Sequence, residues 1–211
     1  MDVYLDPKWG ILDYFKEQKR LGRIKHLGCS CHGRMPMMRE WLEAVHEDME
    51  FCQIQLNYLD WTLQEAKEKV RLLEERGIPV WVMEPLRGGK LAKSALGGEK
   101  MLARSNPDYT PANWAFGFVQ SVPGVTMILS GMSNFEQLKQ NIEFFSERRE
   151  LSDDDIAILL TAAHYDTTGK NAGTVPCTAC RYCTTKCPQE LDIPRLLELY
   201  NEHLSRPDFA F

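Results

Sequence analysis

Phe51-Cys-Gln-Ile-Gln-Leu-Asn-Tyr58, followed by Thr62-Leu-Gln-Glu65, a run to Gly77, and Ile78-Pro-Val-Trp-Val-Met-Glu84, is the stretch whose reading decides the fold. Two short apolar runs flank a segment whose apolar residues recur at helical spacing, so it reads strand, helix, strand. Thr62 and Glu65 have the S/T-x-x-E form in which a hydroxyl and a carboxylate satisfy free N–H groups at a helix start. Gly77 stands where a left-handed C-cap is needed before the next strand. Outward from this unit the pattern repeats. Ile24 to Cys31 and Val125 to Ser130 read as strands, Gly22 as another C-cap, and Ser133-Asn-Phe-Glu136 as another helix start. A βα repeat predicts right-handed crossovers and a parallel sheet.

The 211 residues are 44% hydrophobic and 26% charged, a globular composition able to bury a core. A net charge of −5 with scattered Lys and Arg leaves no electrostatic footprint for nucleic acid. No apolar run approaches the ~18 residues of a membrane span. Seven cysteines, an odd number, and no signal peptide place the chain in a reducing cytoplasm.

About 150 residues precede the helix start Ser152-Asp-Asp-Asp155, enough for about four βα units. A closed (β/α)8 barrel takes ~250. The expected fold class is therefore α/β: a partial (β/α)8 TIM barrel over residues 1–150, then a small helical iron–sulfur domain over 151–211. Barrel edges without neighbours expose N–H and C=O groups. A complementary half-barrel or a second copy is the expected cover.

Cys177-Thr-Ala-Cys180-Arg-Tyr-Cys183-Thr-Thr-Lys-Cys187-Pro188 carries the second expectation. Its C-x2-C-x2-C-x3-C-P spacing is that of a bacterial ferredoxin motif, whose soft thiolates suit a [4Fe-4S] cluster. A structural zinc site is the chief alternative and disulfides a third. Whether Cys187 completes the set stays open, because in two-cluster ferredoxins the fourth cysteine serves the other cluster. Cys29, Cys31 and Cys52 lie in strand-like runs and read as small buried hydrophobes.

Gly28-Cys-Ser30-Cys-His32, Gln53-Ile-Gln55-Leu-Asn57-Tyr58, Met83-Glu-Pro85-Leu-Arg87-Gly-Gly89 and Ser130-Gly-Met-Ser-Asn-Phe-Glu-Gln137-Leu-Lys-Gln-Asn141 fall in order where the fifth to eighth strands of an aldo/keto reductase end. With the cysteine motif, the chain resembles the C-terminal part of the bacterial aldo/keto reductases that bear an iron–sulfur centre. That resemblance implies NAD(P)H-dependent reduction of a small carbonyl. Ser30 and Gln55 match positions that hold the nicotinamide carboxamide, Leu86, Gly88 and Gly89 the pyrophosphate loop, and Gln137 and Asn141 the adenosine side. The chain departs from the family where Met83 replaces a stacking aromatic, Gly131 a frequent lysine and Gln137 a frequent arginine, so NADPH and NADH both stay open.

The resemblance also implies that the family's catalytic Asp, Tyr, Lys and His belong to strands without counterpart here, since Met1 to Lys8 is similar to the segment just past the fourth strand. No catalytic residue is assigned, neither Tyr4, Tyr58 nor His32. The isolated chain is expected to have little or no reductase activity. The other reading is a stand-alone iron–sulfur carrier or redox-responsive binding module, and in either a redox protein is a possible partner. Trp41, Trp61, Trp81 and Trp114 read as packing residues. The stretch from Gly89 to Asn113 reads as a long connection, either a flap over the cofactor or a disordered insertion.

Overall fold

Alternation dictates the sheet. In the computed structural model Cys52 and Ile54 of one strand and Val80 and Val82 of the next are buried, while their odd-numbered neighbours are half-exposed. The structure describes residues 2–168, 175, 177 and 181–205.

In chain order the elements are α1 (Asp2–Leu5), α2 (Ile11–Arg20), β1 (Gly28–Cys31), α3 (Met35–Val45), β2 (Phe51–Gln55), α4 (Asp60–Leu63), α5 (Ala66–Glu74) and β3 (Val80–Met83). Then come α6 (Lys90–Lys93), α7 (Glu99–Leu102), α8 (Pro111–Gln120), β4 (Val125–Ile128), α9 (Phe135–Phe145), α10 (Asp153–Thr168) and α11 (Ile193–Ser205). The strands form one parallel sheet in the order β1-β2-β3-β4, with Cys29 beside Cys52, Gln53 beside Trp81 and Val82 beside Ile128. Gly28 is needed at the start of β1, because a Cβ there would lie 2.5 Å from the Phe51 ring.

Helix ends follow the sequence in part. Gly77 has φ 66° and closes α5, with Ile78 N–H donating to Leu73 C=O. Ser152 Oγ accepts from Asp155 N–H at 3.2 Å and donates to its carboxylate at 2.7 Å. The other two helix starts differ. Thr62 lies inside α4, and the chain enters α5 through Glu65 in the left-handed region. The cap of α9 is Asn134, whose Oδ1 accepts from Gln137 N–H at 2.9 Å. Between Gly89 and Asn113 the chain is packed rather than disordered: Leu91, Ala95 and Leu102 are fully buried. Thr110 and Asn113 cap α8 reciprocally, a signal that the sequence reading missed.

Two compact units emerge: Met1–Pro85 with Val119–Arg149, which holds the whole sheet, and Leu86–Phe118 with Glu150–Phe211. The expectation of a partial (β/α)8 barrel followed by a small iron–sulfur domain is thereby corrected. The strands make a four-stranded parallel sheet in the N-terminal part of the chain, and the helices beyond 150 cluster with Leu86–Phe118 in one unit. Among the described residues, no helix is long and apolar enough to cross a membrane.

Candidate functional site

Strand register puts Ser30, Gln53, Gln55, Trp81 and Met83 on one face of the sheet, and Cys29, Cys31, Cys52 and Ile54 on the other. Ser30 is exposed and the other four of the first set are half-buried. Phe51 and Trp81 stack on that first face, ring centroids 3.7 Å apart and planes within 12°. Gln53 Nε2 reaches Met83 Sδ at 3.6 Å. Trp81, expected to be a packing residue, does pack here, against the Phe51 ring.

Gln55 is held by the turn that leads from β2 into α4. Its Nε2 donates to Asp60 Oδ2 at 2.7 Å, and the same oxygen accepts from Asn57 Nδ2 at 2.7 Å. Asn57 Oδ1 in turn accepts from the N–H groups of Leu59 and Asp60, and Nδ2 also donates to Glu84 C=O at 2.9 Å. Asn57 and Asp60 are wholly buried. This network starts α4 and ties the end of β2 to the end of β3. With its nitrogen committed to Asp60, Gln55 offers its Oε1 as an acceptor, and Ser30 offers a hydroxyl that can donate or accept. The donor set suits a carboxamide. The Asn57-x-x-Asp60 spacing directly after a strand was the available signal for the network.

At the other edge of the same unit, Asn141 Nδ2 donates to Ser130 Oγ at 2.9 Å. Gln137 Oε1 accepts from Ser133 N–H at 2.8 Å, so its side chain closes the β4–α9 turn. A groove of about 470 Å3 runs along β4 and α9, lined by Met127, Met132, Leu138 and Ile142 with Ser130 and Asn141. Gly131 faces open space.

Leu86, Gly88 and Gly89 belong to the second unit. Arg87, Gly88 and Gly89 all have positive φ, at 48°, 60° and 86°. The glycines are thus conformationally required. The N–H groups of Gly89 and Leu91 both donate to Leu86 C=O, at 3.0 and 3.1 Å, so the loop is folded on itself.

Of the four clustered cysteines, Cys177 and Cys183 are exposed, Cys187 is half-buried, and Cys180 lies outside the described residues. Arg181 C=O accepts from the N–H groups of Thr184 and Thr185, and Thr184 C=O from that of Cys187. Among the described residues no three His, Cys, Asp or Glu side chains are placed to hold a metal ion. The thiols have the right chemistry for iron, but the described residues supply no assembled site. Tyr58 is buried, while Tyr4 and His32 are exposed.

The aldo/keto reductase family model matches residues 4–163. No curated protein matches the chain. Among solved structures, the aldo-keto reductase AKR11C1 from Bacillus halodurans in its holo form is similar at 23% identity and a TM-score of 0.59, covering 74% of this chain and 56% of its own. The thermostable aldo-keto reductase Tm1743, solved with the inhibitor epalrestat, matches at 20% identity and a TM-score of 0.58, over 72% and 53%. Aldose reductase from Giardia lamblia matches at 17% and 0.55, over 72% and 48%. The chain thus spans about half the length of these proteins.

These matches correct the expected identity. The family segment occupies the N-terminal part of this chain and ends before Cys177, so the reading of a C-terminal fragment with a C-terminal iron–sulfur motif is overturned. They correct the fold class likewise: the aldo/keto reductase domain, with its four-stranded parallel sheet, stands at the N-terminus. With a family match over residues 4–163 and solved reductases that share its fold, the chain belongs to the aldo/keto reductase family.

Proposed function

We propose that this chain is an NAD(P)H-binding oxidoreductase of the aldo/keto reductase type, acting on a small carbonyl compound. The observation that carries the reading is the Gln55–Asp60 pair on the sheet face that also carries Ser30, two residues along β2 from Gln53, the residue opposite Ser30. When bound, the nicotinamide supplies a hydride. Ser30 and Gln55 hold its carboxamide, and the Asp60–Asn57 network fixes the Gln55 amide so that binding does not have to order it. Asn141 and Gln137 serve the adenosine end. No side chain is assigned as proton donor.

The reading includes two further elements. Cys177, Cys180, Cys183 and Cys187 are the proposed ligands of a [4Fe-4S] cluster, supported by their spacing. A protein partner, a second copy or a complementary chain, is supported by the exposed apolar side chains Met127, Leu129, Phe135 and Ile142 around β4 and α9.

Calorimetric titration with NADPH and NADH tests the cofactor. A saturable site that Ser30→Ala and Gln55→Ala each weaken is the expected result, and the absence of binding by the folded chain overturns it. Anaerobic loading with iron and sulfide tests the thiols through a broad visible absorption that Cys183→Ser abolishes.

A further inference from the structure

Cys29 and Cys52 are paired across β1 and β2, on the face opposite Ser30 and Gln55. Their sulfurs lie 3.8 Å apart. Neighbouring strands run about 4.7–4.9 Å apart, within the ~4.4–6.8 Å Cα separation that a disulfide spans. Closing the bond takes the sulfurs to about 2.05 Å, a rotation of the two side chains with a small approach of the strands. Trp41 on α3 donates its indole N–H to Cys29 Sγ at 3.3 Å. Cys29 is half-buried and Cys52 fully buried, so Cys29 is the more accessible residue of the pair.

We propose that Cys29 and Cys52 form a redox-active dithiol, a modification site at which a hydroperoxide closes a disulfide between β1 and β2. Cys29 is the thiol that reacts first. Its sulfur attacks one oxygen of hydrogen peroxide: an S–O bond forms, the O–O bond breaks, and the departing hydroxide leaves as water with the thiol proton. The Cys52 sulfur then attacks the resulting sulfenic acid. An S–S bond forms, the S–O bond breaks, and a second water carries away the Cys52 proton. Two thiols have lost two electrons and the peroxide has gained them.

The electrostatics agree with these roles. The Cys52 thiol and the Trp41 indole both donate to the Cys29 sulfur, against the cost of burial, and hold its pKa down to about 7. The bond to Cys29, and then burial, push the Cys52 thiol up, which keeps it protonated until the sulfenic acid forms. Cys31 sits two residues along on the same face but opposite Ile54, so its line to Cys52 is diagonal, and burial pushes its thiol up as well. This division of labour is absent from the reading of all three cysteines as small buried hydrophobes.

The test is peptide mapping of the full chain after exposure to hydrogen peroxide, with free thiols alkylated first. Trypsin places Cys29 and Cys31 in peptide 26–34 and Cys52 in peptide 40–67. The expected product is a cross-link of these two peptides that reductant reverses, with fragment ions assigning it to Cys29. It persists in Cys31→Ser. In Cys52→Ser a sulfenic acid at Cys29 accumulates and is trapped by dimedone, and in Cys29→Ser oxidation at Cys52 falls at least tenfold. Assignment by fragment ions in the unmodified chain does not depend on any variant folding. The proposal is overturned if Cys52 stays a free thiol while Cys29 oxidises, if neither reacts, or if the link runs to Cys31.

Discussion

Gln55 and Asp60 are joined by a hydrogen bond of 2.7 Å from the amide nitrogen to a carboxylate oxygen that is itself shared with the buried Asn57. The bond fixes the end of β2, where Gln55 lies on the half-buried face of the sheet while the next few residues turn into α4. Positioning and stability are therefore separable. Asn57→Ala removes a buried hub and leaves Asp60 and two N–H groups without that partner. It is expected to cost about 2–3 kcal/mol. Gln55→Ala removes one peripheral bond and is expected to cost about 1 kcal/mol in stability, yet to weaken nucleotide affinity about tenfold. Urea denaturation midpoints and nucleotide titrations of the two variants separate these effects.

Gly131 opens onto empty space, with no heavy atom within 4 Å of an added Cβ. A lysine there, as many aldo/keto reductases carry, meets no steric barrier and brings a cation to the β4–α9 turn. Gly131→Lys is expected to raise affinity for NADPH over NADH by about five- to tenfold, the scale of one new charge-assisted contact. Parallel titrations with the two nucleotides measure it, and the preference should shrink at high salt.

The start of α9 gives a local contrast. Asn134 caps the helix through its Oδ1, and Ser133 precedes the cap. Asn134→Ala should cost about 1 kcal/mol, while Ser133→Ala, which leaves the backbone bond from Ser133 N–H to Gln137 Oε1 intact, should cost a few tenths. Thermal unfolding of the two variants distinguishes the register seen here from one shifted by a residue.

Cys29 supplies a pH dependence. Thiolate is the reactive form, and the Cys52 and Trp41 donors hold the folded pKa near about 7, below the ~8.5 of a free cysteine. Alkylation of Cys29 in the folded chain should therefore rise through about pH 7 and level off by pH 8. In urea the same peptide should titrate above pH 8. Trp41→Phe, which removes the indole donor, should move the folded profile toward higher pH. Rates of iodoacetamide labelling, read peptide by peptide, check the sign.

What the sequence showed and what it hid divide along physical lines. Short apolar runs between helical segments located all four strands, and in β2 and β3 the burial of Cys52, Ile54, Val80 and Val82 alternates with half-exposed neighbours as a sheet requires. Gly22 and Gly77 marked helix ends because few other residues adopt positive φ cheaply. Capping motifs were less safe. Thr62-x-x-Glu65 fits the pattern, but the buried Asn57–Asp60 bonds start a helix earlier and leave Glu65 in the left-handed region. A motif that spans four residues cannot register a stronger network that begins five residues upstream. The Cys29–Cys52 contact depends on the register of two strands 23 residues apart, and the Phe51–Trp81 stack likewise on pairing. The barrel reading failed for another reason: counting units in a repeat says how many strands there are, not how the helices after them group.

The central claim is that a nicotinamide nucleotide lies on the sheet face that carries Ser30, Gln55 and Trp81. Energy transfer from tryptophan to the reduced nicotinamide, recorded as NADPH is titrated into the folded chain, tests it most directly. The account predicts saturable sensitised emission, strongly reduced in Trp81→Phe and shifted to about tenfold higher nucleotide concentration in Gln55→Ala. Emission that never saturates, or that is indifferent to Trp81→Phe, would contradict it.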